Sequence, residues 1–217
     1  MEDQYKIYLA PFHAKLKIMG GTLNEELIEQ TMSVKFLQPD DKVFELGGNI
    51  GRNSLIIASI LNNPKNLVVL ESDPRSANML KNNSLLNGLE FHVVNAALSA
   101  QPLIQQGWVS KPGTAEPGWY PVNTIGWDAV KTLFPLDFTV LVADCEGALY
   151  HILHSYPEML DGIRLILLEN DFQTKEEVEW VHDLLRSKGF KDVYSTTAPV
   201  AWGHCKDFFW QAWARTQ

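Results

Sequence analysis

The spacing of apolar and polar positions switches repeatedly between short continuous runs and helical periods. A helix is predicted from Asn24, where Glu25, Glu26, Leu27 and Ile28 lead to Phe36 and Leu37 and Pro39 stops it. The run 41–47, DKVFELG, reads as a short strand closed by glycine, and 52–61 as a helix. A strand over 66–71 is followed by a helix over 74–88, with Pro74 at its start and Gly88 at its end. A third strand covers 89–96. The run 138–144, FTVLVAD, is apolar at nearly every position, as a strand covered on both faces must be, and 163–170 reads the same way. Helices are predicted over 147–159 and 174–189. The stretches 190–196 and 207–215 have no helix between them and are expected to pair antiparallel. Alternating strands and helices predict an α/β fold: a mostly parallel, seven-stranded sheet with an antiparallel last strand and helices on both faces.

Two stretches break this rhythm. Residues 1–38 precede the first strand and form an N-terminal cap segment, with no element assigned before Gly20-Gly21-Thr22. Residues 99–121 hold Pro102, Pro112, Pro117, Pro121 and three glycines, and read as a long loop over the acceptor. With neither linker nor repeat, residues 1–217 are expected to be one domain.

Composition narrows the function classes. The formal net charge is −8, and Lys15, Lys17 and Lys35 are scattered, so no basic stripe for a phosphate backbone is visible and no nucleic-acid partner is expected. No apolar run approaches the ~18 residues of a membrane span. The opening MEDQYK lacks a signal-peptide pattern, so a cytoplasmic location with Cys145 and Cys205 as reduced thiols is expected.

The chemistry concentrates at strand ends. The first strand runs into Glu45-Leu46-Gly47-Gly48-Asn49-Ile50-Gly51. Gly47 and Gly48 let the backbone turn sharply beside a ligand, and Gly51 lets the next helix start close to the strand with its amides facing that ligand. The pattern is neither G-x-G-x-x-G nor a P-loop, which argues against a nicotinamide dehydrogenase. Glu71 ends the second strand twenty residues after Gly51, where a carboxylate accepts from both hydroxyls of a ribose and repels a 2′-phosphate. Together these features point to a nucleoside-containing cofactor.

Several segments, in order, resemble FkbM-type class I methyltransferases, which use S-adenosylmethionine (SAM). They are GTLNEELIEQ (21–30), FELGGNIGRNSL (44–55), VVLESDPRSANMLKNNSLLNG (68–88), VNAALSA (94–100), VNTIGWD (122–128), VLVADCEGALYHIL (140–153) and LILLEN (165–170). Three positions depart from the family pattern: Ser72 replaces a proline, Val142 a lysine and Leu149 a glutamate. The resemblance implies a class I methyltransferase (Rossmann-like) fold binding SAM. It implies that Glu45, Gly47, Gly48, Asn49 and Gly51 hold the methionine end, Glu71 the ribose, and Ser72, Asn95 and Ala96 the adenine. Asp144 faces the methionine end and the transferred methyl. By the same analogy the reaction is O-methylation of a sugar or glycan hydroxyl, with a lipid or polyketide hydroxyl, or a non-catalytic binding module, as alternatives.

Methyl transfer to an alcohol needs in-line positioning and a proton acceptor. Asp144, Glu146 and His204 are the candidates at the sheet edge where such folds bind ligands. Asp144 is also suited to cap the following helix, and Glu146 to meet its dipole. Asp144, Glu169 and Asn170 resemble the oxygen ligands of magnesium-dependent catechol O-methyltransferases, a metal reading that the FkbM resemblance does not require. No amine-positioning N-P-P-Y motif follows the 138–144 strand, which argues against base N-methylation. Trp119, Trp127 and Trp202 are candidates for an aromatic face toward the acceptor.

Overall fold

A computed structural model describes residues 2–197 and 203–215. The helices are α1 (Glu2–His13), α2 (Leu27–Phe36), α3 (Arg52–Ile60), α4 (Pro74–Leu86), α5 (Trp127–Leu133), α6 (Ala148–Ser155) and α7 (Lys175–Ser187). The strands are β1 (Val43–Leu46), β2 (Leu67–Leu70), β3 (His92–Val94), β4 (Ala97–Leu98), β5 (Leu103–Gln106), β6 (Val109–Pro112), β7 (Tyr120–Val122), β8 (Thr124–Ile125), β9 (Val140–Ala143), β10 (Leu165–Glu169), β11 (Phe190–Thr196) and β12 (Trp210–Arg215).

The main sheet has seven strands in the order β11-β12-β10-β9-β1-β2-β3. β12 runs antiparallel to both its neighbours, and the pairs from β10 to β3 are parallel. Alternation along the central strands divides the core in two. Phe44, Leu46, Val68, Leu70, Leu141 and Ile166 pack on α5, α6 and α7. Val43, Leu67, Val69, Val140, Val142 and Leu167 pack on α2, α3 and α4. Glu45 stands in register beside Val69 and Val142, so it enters the second layer as a buried carboxyl.

Two regions differ from the sequence expectation. The first is α1, a helix carrying an internal Pro11 and packed on α2, where His13 Nε2 lies 2.7 Å from Gln30 Oε1. The second is 99–121, which is a small antiparallel sheet rather than a loop, ordered β6-β5-β7. Its prolines are compatible with strand structure because Pro112 and Pro121 sit on the outer strands, where a missing N–H costs no central ladder bond. Two further boundaries shift. The 89–96 strand is trimmed to β3, and the segment before β12 forms a 3-10 helix over Gly203–Phe208. Among the described residues, no helix is long and apolar enough to cross a membrane.

Candidate functional site

The turn after β1 is stitched to the end of β2. Gly47 N and Gly48 N both donate to Leu70 O, at 2.9 and 3.3 Å. Gly47 has φ +85, and a Cβ there would lie 1.6 Å from the Asp144 carbonyl oxygen, so only glycine lets β1 and β9 end side by side. Gly51, at φ +98, faces Leu80 of α4, where a Cβ would stand 2.5 Å from Leu80 Cδ1. The absence of a side chain there lets α3 start against α4.

Glu71 is buried and fixes the turn. Its Oε2 accepts from Asn49 N at 2.7 Å and its Oε1 from Asp73 N at 2.8 Å. Asn49 is thereby held at φ +46. Among the described residues the non-glycine positions with positive φ are Glu26, Asn49 and Glu146, and all three border the same group of cavities. Backbone strain gathered at one place marks a site whose geometry the surrounding structure enforces.

Three adjoining spaces open at the C-terminal edge of the sheet. The first is a cleft bordered by Gly47, Asn49, Glu71, Ser72, Ala96 and Asp144. The second shares Leu98, Leu103, Ser110, Glu146, Ala148 and Ile152 with the cleft and adds Ser99, Gln101 and His151. The third is a narrow chamber under α2, joined to the cleft at Gly47 and Asp144 and bordered by Glu26, Glu29, Glu45, Gly48 and Glu169.

The chamber is dense in carboxyl groups. Burial is the largest influence on three of them and pushes their pKa values upward: Glu26 to about 7, Glu45 to about 8 and Glu169 to about 11. For Glu169 the next influences are the charges of Asp144 and Glu29 and a hydrogen bond with Glu29. Asp144 is raised well above its ordinary value by burial and then by Glu29 and Asp171. Ser54 Oγ donates to Glu45 Oε2 at 2.6 Å, and Arg52 Nη1 lies 2.8 Å from Glu26 Oε1. These hold the chamber wall without neutralising the Glu29–Asp144–Glu169 group. Carboxyl oxygens of those three residues lie within 4.8 Å of one another.

The structure brings Glu45, Gly47, Gly48, Asn49, Glu71, Ser72, Ala96, Asp144 and Glu146 to these connected spaces. Glu146 is exposed at the lip shared by the cleft and the second cavity, and partial burial raises its pKa. Other expectations are corrected. Asn95 is a buckle for the backbone: its Nδ2 donates to Glu71 O at 2.8 Å and Ser72 O at 3.0 Å. His204 borders a separate surface pocket beside α7, shared with Lys175, Val178 and Phe208, with Nε2 3.2 Å from Phe172 O, because the 3-10 helix before β12 turns it away from the cleft. Asn170 is fully buried, its Nδ2 donating to Phe208 O at 2.8 Å and Gln211 Oε1 at 2.9 Å, so it is no ligand for a metal beside Asp144. Glu29 stands where Asn170 was expected. Trp127 is core, packed on Phe44 and Phe138, and Trp119 lies under Lys111 Nζ at 4.1 Å. Trp202 lies outside the described residues.

Sequence reasoning missed Glu29, Gln105 and Trp108. The signal for Glu29 was the polar inner face of α2, where Gln30, Thr31 and Ser33 are buried. Gln105 and Trp108 lay inside the segment read as loop, yet both border the cleft that Glu71 and Ser72 also border. The insertion therefore walls the cleft as well as the second cavity.

No family model matches the chain, and no curated relative matches it. Solved structures share its fold at low identity. An rRNA methylase from Streptococcus thermophilus matches with TM-score 0.54 and 8% identity, covering 88% of this chain and 95% of the other. A protein assigned as a tRNA methyltransferase from Streptococcus pneumoniae, in complex with SAM, matches with TM-score 0.53 and 12% identity, covering 88% and 73%. A precorrin-6y C5,15-methyltransferase from Geobacter metallireducens matches with TM-score 0.54 and 14% identity, covering 94% of each chain. These matches correct the expected partner set of a sugar or glycan acceptor with nucleic acid excluded. The fold is shared by proteins named for rRNA and tRNA, and net charge is a whole-chain sum that says little about one local surface. The chain has the α/β fold of the class I SAM-dependent methyltransferases.

Proposed function

We propose that this chain is a SAM-dependent O-methyltransferase of FkbM type, with the cleft as cofactor site and the second cavity as acceptor site. The observation that carries the reading is Glu146, a carboxylate on the lip that the two spaces share. The donor set suits SAM. Glu71 offers acceptors for a ribose, and the chamber joined to the cleft offers carboxylates for a cationic methionine end.

When bound, SAM supplies an electrophilic methyl group on a sulfonium. The chain's own work is positioning and proton removal. Glu71 and the Gly47–Gly51 turn orient the nucleoside end. Asp144, which borders both cleft and chamber, orients the methionine end. Glu146 takes the acceptor's hydroxyl proton as the oxygen–methyl bond forms and the sulfur–methyl bond breaks. Its raised pKa brings it nearer to neutral pH, which suits a general base. The acceptor cavity sets apolar Leu98, Leu103, Val109 and Ile152 against polar Ser99, Ser110 and His151, a lining suited to an amphipathic hydroxyl compound.

The test is transfer of isotopically labelled methyl from SAM to a panel of hydroxyl compounds, RNA and protein, read by mass spectrometry. Label on a hydroxyl oxygen, with Glu146→Gln slowing turnover by about 10²–10⁴-fold at unchanged SAM affinity, supports the reading. Label on nitrogen or carbon, or a Glu146→Gln variant as fast as the parent, overturns it.

A further inference from the structure

The hairpin β5–β6 leaves one buried polar atom without a hydrogen bond on a residue that borders the cleft. Gln105 is 2% exposed and borders the cleft, and its Oε1 has no hydrogen-bond partner among the described residues. Buried acceptors of this kind are rare, because each forfeits the hydrogen bond it had with water. The amide cannot simply rotate to hide its oxygen. Nε2 donates to Gly107 O at 2.9 Å, so a flip would set the Gln105 carbonyl against the Gly107 carbonyl. The orientation is thus fixed by the hairpin: nitrogen toward Gly107, oxygen left for a donor arriving from elsewhere.

Position narrows the donor. Leu103 and Ser110 border both the cleft and the second cavity, whereas Gln105 and Trp108 border the cleft without bordering the second cavity. Gln105 pairs in register with Tyr120 of β7, and Tyr120 Oη donates to Asp73 Oδ2 at 3.2 Å. Asp73 in turn donates its N–H to Glu71, so the insertion sheet is tied to the nucleoside end of the cleft rather than to the acceptor end. Trp108, 60% exposed in the turn between β5 and β6, supplies an indole at the same rim.

We infer that the β5–β6 hairpin is the base-reading wall of the cofactor site, with Gln105 Oε1 accepting the exocyclic amine of adenine and Trp108 covering the ring. Gln105 is then a specificity residue: it selects a 6-amino purine and rejects a 6-oxo purine, whose carbonyl would face the Gln105 carbonyl. The inference rests on the cleft being the SAM site. The test keeps the two ideas apart.

The parent protein is titrated calorimetrically with S-adenosylhomocysteine, with its 6-oxo analogue S-inosylhomocysteine, and with the analogue bearing hydrogen at that purine position. The expected order is adenosyl, then hydrogen, then inosyl, with about 10- to 100-fold between first and last. Gln105→Met, close in volume and without the amide, is expected to weaken the adenosyl compound by about 10-fold and, by removing the facing carbonyl, to tighten the inosyl compound, collapsing the preference. Trp108→Ala is expected to weaken all three alike, by about 10-fold. Tight adenosyl binding with no preference overturns the inference while leaving the cofactor site intact. A preference that survives Gln105→Met overturns it too, and no binding of any of the three overturns the inference and the cofactor reading together.

Discussion

Replacing Glu71 with alanine tests two roles that one carboxylate fills. In the structure its two oxygens already hold the N–H groups of Asn49 and Asp73, at 2.7 and 2.8 Å. Each oxygen keeps lone pairs for a ribose hydroxyl. Hydrogen bonds to a charged group contribute about 1.5–3 kcal/mol apiece, and water entering from the open cleft recovers part of the loss, so about 2–3 kcal/mol of stability is expected to disappear. For a chain of this size that lowers Tm by about 5–10 °C. Loss of the ribose contacts weakens S-adenosylhomocysteine by about 2–4 kcal/mol, or roughly 30- to 1000-fold. Glu71→Gln is expected to fall between parent and alanine on both scales, since one amide oxygen accepts from one N–H while its nitrogen faces the other. Differential scanning calorimetry and isothermal titration on the three proteins measure both effects. An alanine variant that melts within about 1 °C of the parent removes the turn-holding role, and one that melts early but binds normally removes the ribose role; either result refutes the dual assignment.

Asn170→Ala is expected to cost about 3–5 kcal/mol, because it strips three carbonyl-type acceptors of a fully buried donor and leaves His182 without its partner at 3.0 Å; thermal melting checks this, and ligand affinity of the folded fraction is expected to stay within about threefold, the opposite of what a metal ligand would show. The ligand-free protein is expected to lose stability as pH rises from 6 to 8. The folded-state pKa of Glu45 is about 8 against an ordinary 4.5, so its contribution is complete below about 4.5 and is lost as pH climbs through 8, with Glu169, at about 11, adding in the same direction. His182, lowered to about 4 from 6.5, acts in the other window: its contribution is present above 6.5 and lost as pH falls through 4. A melting profile that is flat or rising between pH 6 and 8 contradicts this ordering.

The legible parts of the fold were those dictated by strong local patterns. The buried runs 138–144 and 163–170 are apolar from Val140 to Ala143 and from Leu165 to Leu168, and the Gly47–Gly51 turn and Glu71 announce themselves by residue type. The insertion sheet was hidden because proline and glycine signal loops equally well when they flank or edge short strands, and the tertiary contact through Tyr120 and Asp73 leaves no trace in spacing. Glu29 was hidden for a related reason: a carboxylate on a mixed helix looks solvent-facing until α2 is laid across β10, bringing it to Glu169. His204 and Asn170 were placed at the right edge of the sheet but turned the wrong way. Strand order fixes an edge, whereas a 3-10 turn and a satisfied amide decide where each side chain goes.

The proposed cofactor is a cation, and the cleft it would enter adjoins buried carboxyl groups whose pKa values are raised. Calorimetric titration of the chain with SAM at pH 7, repeated in two buffers of different ionisation enthalpy, measures binding and proton release together. Because a positive ligand pulls down the raised pKa values of Glu26 and Glu45, from about 7 and about 8, the prediction is binding with net proton release. Affinity should rise from pH 6 to 8, and S-adenosylhomocysteine, lacking the sulfonium charge, should release fewer protons. Absence of binding, or binding with proton uptake, contradicts the account.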